Sequence, residues 1–173
     1  MDQGAAIARI AQALGRLPVR GVITTGPAID PETIPAPANV QVVRSAPHLE
    51  ILPHAAAMVT HAGHGSVVKA LAAGVPMVTM PFGRDQLEIA ARAAYAGAGV
   101  RIRSGASPAR IARAVREVLG DSAYRAAAAR AASTIAAEQS RDAAADAFEE
   151  LAGASRSEAA LLGARAAVPG SAS

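Results

Sequence analysis

Cysteine is absent from all 173 residues, so neither a disulfide framework nor a zinc–thiolate site can be built. Tryptophan is absent too, and two tyrosines and two phenylalanines leave little aromatic surface. The 17 basic residues are 16 arginines and a single lysine, Lys69, scattered among Ala, Glu and Asp. A nucleic-acid footprint needs clustered charge and usually stacking aromatics, so no nucleic-acid partner is expected at a net charge of only +3. No apolar run approaches the roughly 20 residues of a membrane span, and the first 13 residues carry no signal-peptide block. The expectation is a soluble cytoplasmic protein without a membrane span.

Alanine is what the chain has in excess. It supplies 47 of the hydrophobic residues and leaves 41 larger apolar side chains, four of them aromatic. A core made from them must be aliphatic, with Ala letting backbones approach closely. The length suits one domain and excludes a second full one.

Apolar residues Ile7, Ile10, Ala11 and Leu14 recur at helical spacing, so residues 3–15 read as an amphipathic helix closed by Gly15 and Pro18. Short β-branched runs at Val19–Thr25, Val40–Arg44, Ala57–Thr60, Pro76–Met80 and Gly99–Arg103 read as strands. A proline-rich loop covers 27–39, and helices are expected at 48–54, 66–73 and 86–96. Ser107-Pro108 supplies a cap hydroxyl and a first-turn proline for the next helix. Asp121 caps a further Ala/Arg-rich helical stretch that continues to about Leu151. Periodicity fades over 152–173, where a disordered tail is expected. Short apolar strands alternating with helices indicate an α/β fold with a doubly wound, Rossmann-like parallel sheet, whose ligands bind beyond the carboxyl ends of the strands.

Two strand-to-helix turns lie on that edge: Thr60-His61-Ala62-Gly63-His64-Gly65-Ser66 and Pro81-Phe82-Gly83-Arg84-Asp85-Gln86. In the first, Gly63 and Gly65 let a ligand approach the backbone. The N–H groups around Gly65, Ser66 and Val67 point along a helix axis whose positive end favours anions, and Ser66 and His61 add donors. The chemistry is that of a phosphate cradle, although a tight glycine turn with a buried histidine fits the same residues. The run lacks the Lys of a Walker loop and the third glycine of a dinucleotide fingerprint. Val68 stands where a nucleophile elbow needs its second glycine. His61 and His64 have no nearby Cys or carboxylate to complete a metal set, so no metal is expected.

The whole run from Pro47 to Gly99 combines T-H-x-G, G-S, A-L-A-A-G-V-P and D-Q. It resembles the donor-binding signature of the two-Rossmann (GT-B) nucleotide-sugar glycosyltransferases of the macrolide and UDP-glucuronosyl type. The resemblance implies that His61 contacts the donor diphosphate and that Gly63, Gly65, Ser66 and Val67 hold its phosphates. Asp85 and Gln86 correspond to the pair that hydrogen-bonds the donor sugar, a carboxylate and an amide being able to accept from and donate to neighbouring hydroxyls. Asp85 also stands where a helix cap is wanted.

Other positions depart from the pattern. Ser45 replaces a Trp that stacks on the base in plant members, His48 replaces a neighbouring Gln, and Ile89 replaces an Asn. Lys69 stands where many members place a ribose-binding Glu, and a cation cannot accept ribose hydroxyls. Ser45, His48 and Lys69 therefore mark the base and ribose region, with base recognition weaker or made by backbone and His48. Lys69 is expected to lie against the diphosphate or to leave the ribose loosely read, so that uridine and thymidine donors are both tolerated, or to be simply solvated.

The resemblance further implies an inverting transfer of a hexose from a UDP- or dTDP-sugar to a hydroxyl acceptor, with no cofactor beyond that donor. No catalytic residue is expected here, because the family's base lies in an N-terminal acceptor domain; that domain or a partner chain is the implied partner. Residues 1–151 are then an incomplete donor domain that starts at its first helix, leaving a gap where a central strand belongs. A non-catalytic nucleotide-sugar-binding subunit has the same residues, whereas a 2-epimerase would need acid/base carboxylates that are missing from the run.

Overall fold

The computed structural model describes residues 3–139. Its order is α1 (Gln3–Leu14), β1 (Gly21–Thr24), β2 (Val40–Val43), α2 (His48–Ile51), β3 (Met58–Thr60), α3 (His64–Ala72), β4 (Met77–Thr79), α4 (Gln86–Tyr95), β5 (Gly99–Arg101), α5 (Pro108–Gly120) and α6 (Ser122–Gln139), with short 3-10 turns at Pro31–Thr33 and Leu52–His54. Strand and helix alternate as expected from β2 to α5, while β1 and β2 are joined by the proline-rich loop with only a 3-10 turn in it. The expected tail at 152–173, and the helical stretch beyond 139, lie outside the described residues.

All strand pairs are parallel, yet they form two sheets, β1–β2 and β3–β4–β5. Among the described residues no ladder joins the two. What bridges them is α1. Ala11 of this helix packs with Ile23 of β1 and Val40 of β2, while Ala13 packs with Val78, Met80 and α5. Ala13, Ala112 and Ala114 are fully or almost fully buried, so the excess of alanine lets α1 and α5 lie close.

β4 is buried at all three positions, as a central parallel strand covered on both faces must be. On one face Val78 and Met80 meet Ile102, Ile111, Val115 and Val118 beneath α1 and α5. On the other, Met77 and Val75 meet Val67 and Ala70 of α3 and Ala90 and Ala93 of α4. Each fully buried Val or Met contributes about 1.5–3 kcal/mol relative to exposure. This two-sided cover holds the carboxyl ends of β3, β4 and β5 in one row.

The connection from α1 to β1 is fixed by a single side chain. Asn39 Nδ2 donates to the carbonyls of Leu14 (3.0 Å), Leu17 (3.3 Å) and Val19 (2.8 Å), giving the carboxyl end of α1 and the chain after it a donor partner. Asn39→Ala is expected to lower stability by about 1–3 kcal/mol, since it takes the side-chain donor from the part-buried Leu17 and Val19 carbonyls. Urea unfolding checks this, with Asn39→Asp behaving as badly because a carboxylate cannot donate.

Candidate functional site

The register places Thr60 opposite Thr79, and Met80 N–H donates to the Thr60 carbonyl at 2.8 Å. The two turns singled out in the sequence therefore leave the sheet side by side. In the first, Ala62 adopts a left-handed φ of 66° although it is wholly buried, and its N–H is held by Thr60 Oγ1 at 3.2 Å. Such a conformation costs a non-glycine residue energy and persists where its surroundings over-determine it. Its effect is to turn the chain sharply from β3 into α3.

α3 begins two residues earlier than the sequence suggests, at His64, with Gly63 as its cap and no side chain bonded to its first amides. Ser66 N–H and Val67 N–H both donate to the Gly63 carbonyl, at 3.0 and 3.1 Å. The expectation that Ser66 and Val67 offer free backbone donors is thus corrected: they are consumed in the first turn, and the Val67 side chain is buried in the core. The unpaired donors are the N–H groups of His64 and Gly65. An uncapped helix start of this kind carries partial positive charge and suits an anion.

His61 is exposed, which removes the alternative of a buried structural histidine. Its ring lies over Gly63, where an added methyl group would come within 2.6 Å of His61 Nε2. Gly63 therefore makes room for the imidazole rather than for unusual backbone angles. A methyl group at Gly65 would meet nothing within 4 Å, so the space above the helix start is open. Ser66 is half-buried on the first turn, and Lys69 is exposed one turn along.

In the second turn, Gly83 (φ 154°) and Arg84 (φ 56°) both have positive φ. Gln86 Oε1 accepts from the Phe82 N–H at 2.9 Å, which ties the turn to the start of α4 and leaves the Gln86 amide hydrogens as its free donors. Asp85 occupies the cap position of α4, but its backbone is already helical and its carboxylate bonds none of the first amides. The capping alternative is not used. An exposed carboxylate acceptor thus stands beside an amide donor, as hydroxyl recognition requires.

Ser45 is exposed in the loop after β2, and His48 is half-buried at the first position of α2. Both lie beyond the carboxyl end of the two-stranded sheet, as the first turn lies beyond the carboxyl end of β3 in the three-stranded one. Among the described residues no three metal-ligating side chains come together, and no helix is long and apolar enough to cross a membrane.

Comparison with known proteins gives these features a family. Residues 8–151 match the family model "Erythromycin biosynthesis protein CIII-like, C-terminal domain". The 4'-demethylrebeccamycin synthase of Lentzea aerocolonigenes is 43% identical over 143 residues, 82% of this chain and 33% of that protein. Among solved structures, the calicheamicin glycosyltransferase CalG4 superposes with a TM-score of 0.81 at 33% identity, covering 88% of this chain and 39% of its own. The glycosyltransferase VinC, solved in complex with dTDP, has a TM-score of 0.66 at 27% identity over 73% of this chain and 32% of its own. The chain spans about a third of the length of these relatives. With 144 of its residues matched by the model and a GT-B neighbour covering most of its length, the chain belongs to the EryCIII-like C-terminal domain family of GT-B glycosyltransferases.

Proposed function

We propose that the chain is the donor-binding part of an inverting glycosyltransferase that moves a hexose from UDP or dTDP to a hydroxyl acceptor. The observation that carries this reading is the pairing of an uncapped α3 start beneath His61 with the unengaged Asp85 carboxylate and Gln86 amide on the neighbouring strand end. The first group suits a diphosphate and the second a sugar. VinC, with dTDP bound, supports a thymidine donor, and the UDP complexes of rice Os79 support a uridine one.

In the transfer, the acceptor oxygen forms a bond to the anomeric carbon as the bond from that carbon to the diphosphate oxygen breaks. The electron pair leaves with the diphosphate, and the acceptor proton goes to a base supplied by the acceptor domain. His61, the His64 and Gly65 amides and the Ser66 hydroxyl stabilise the leaving charge, so this chain works by position and electrostatics. Asp85 and Gln86 hold the hexose so that its anomeric carbon faces the acceptor.

Lys69 cannot accept hydrogen bonds from ribose hydroxyls, and its exposed place on α3 leaves the sugar ring of the nucleoside loosely read. UDP and dTDP are expected to bind within tenfold of each other by calorimetry, and Lys69→Glu is expected to shift the preference toward UDP. Failure of both diphosphates to bind would overturn the donor-site reading. A wild-type preference for UDP above tenfold would overturn only the role given to Lys69.

A further inference from the structure

A concavity of about 910 Å³ opens between the Pro81–Leu87 turn and the loop from β5 to α5. Its apolar wall is made by Pro81, Leu87 and Ile102, and its polar wall by the guanidinium-bearing Arg101, Arg103 and Arg110. Among the described residues no carboxylate lines it. The ion pairs found among the described residues, Arg44 with Asp30 and Arg92 with Glu88, lie elsewhere, so none of these three arginines is ion-paired there. Three exposed arginines lining one hollow bring like charges to the same space, and an anion bound there relieves their repulsion.

The backbone around the hollow is set rather than slack. Arg9 Nη2 of α1 donates to the Ser104 carbonyl at 3.1 Å, anchoring the loop from β5 to α5. Ser107 Oγ accepts from the Arg110 N–H at 3.3 Å and starts the 13-residue α5, whose positive end opens on the same space. Arg101 closes β5 and Arg103 follows two residues later, both exposed and both lining the hollow. The size falls within the range of small-molecule sites.

We infer that this hollow is a subsite for an apolar organic acid, whose carboxylate is held by Arg101, Arg103 and Arg110 and whose body lies against Pro81, Leu87 and Ile102. Planar guanidinium groups match a carboxylate in two-point hydrogen bonds, and the apolar wall selects against small hydrated anions. The wall is shared with the turn that carries Asp85 and Gln86, so the bound acid stands next to the donor sugar. Its role as the acceptor's anchor rests on the proposed function; the binding itself does not.

The test uses the ¹⁵N-labelled chain, with 6-hydroxy-2-naphthoate and its methyl ester as probes. The acid is expected to shift the amides of Gly105, Ala106 and Ala109 in a saturable way at millimolar concentration or below, and the neutral ester to bind at least tenfold more weakly. Substituting Arg101→Gln, Arg103→Gln and Arg110→Gln together is expected to weaken the acid at least tenfold and leave the ester unchanged. Gly105→Glu brings a carboxylate into the hollow where an added side chain meets open space, and is expected to abolish acid binding on its own. Equal binding of acid and ester, or undiminished binding by either variant, overturns the subsite. UDP added to the same samples should still move the Gly65 amide; if it does not while naphthoate binds, the donor reading fails and the subsite stands.

Discussion

Replacing Gly99 with Ala is expected to destabilise the chain by about 3 kcal/mol or more, the upper end of what overpacking a core does. Gly99 opens β5 opposite Met77 of β4. A methyl group there would overlap the Met77 carbonyl oxygen and stand 2.9 Å from its carbon, against backbone that a change of rotamer cannot relieve. The two strands would have to separate or slip, and β4 carries the core on both of its faces. Chemical unfolding of the variant should show a lower midpoint with the slope retained. A loss below 1 kcal/mol would mean that the pairing of β4 with β5 yields easily. Gly105→Ala is the matched control, because its added carbon meets nothing.

The second large effect concerns recognition. Asp85→Ala is expected to weaken UDP-glucose binding about ten- to a hundredfold while changing UDP binding less than threefold, since a hydrogen bond to a charged group is worth about 1.5–3 kcal/mol. His61→Ala is expected to weaken both ligands about tenfold, because the imidazole is assigned to the diphosphate they share. The ratio between ligands separates the two roles where a single affinity could not. Asp85→Ala should barely alter stability, for its carboxylate caps nothing in the structure. If Asp85→Ala weakened UDP as much as UDP-glucose, the division between sugar and diphosphate contacts would be wrong.

Much of this site was legible before the fold was known, and the reasons differ by residue. Glycines 63 and 65 after a short apolar run, followed by helical spacing, locate a turn at a strand end because few other structures use that combination. Asp85-Gln86 after a second such run falls on the same edge for the same reason. The donors themselves were misplaced by about two residues. A helix that starts at His64 instead of Ser66 spends the amides of Ser66 and Val67 internally, and the strained Ala62 that sets this start has no signature of its own.

The hydrogen bond from Phe82 to Gln86 Oε1 was equally hidden, since an amide that binds sugar and one that ties a turn are the same residue type. The basic hollow was missed because arginine is common along this chain and Arg110 reads as one residue of a solvated helix face. Only the turn from β5 into α5 brings it to Arg101 and Arg103. Their spacing at a strand end was the one available signal.

The break between the two sheets has a further meaning for how a nucleotide is read. Ser45 and His48 ride on the end of a two-stranded ribbon, whereas His61 and Asp85 ride on a three-stranded sheet packed from both sides. A ribbon of two strands is marginal in water by itself, so its order is borrowed from the packing of Ala11 against Ile23 and Val40. Ser45 and His48 thus belong to a region expected to open at a different free energy from the one that carries His61 and Asp85. The turns carrying His61 and Asp85 stand on a sheet braced from both faces, whereas the loop carrying Ser45 and His48 is only as firm as the packing of α1 on its ribbon.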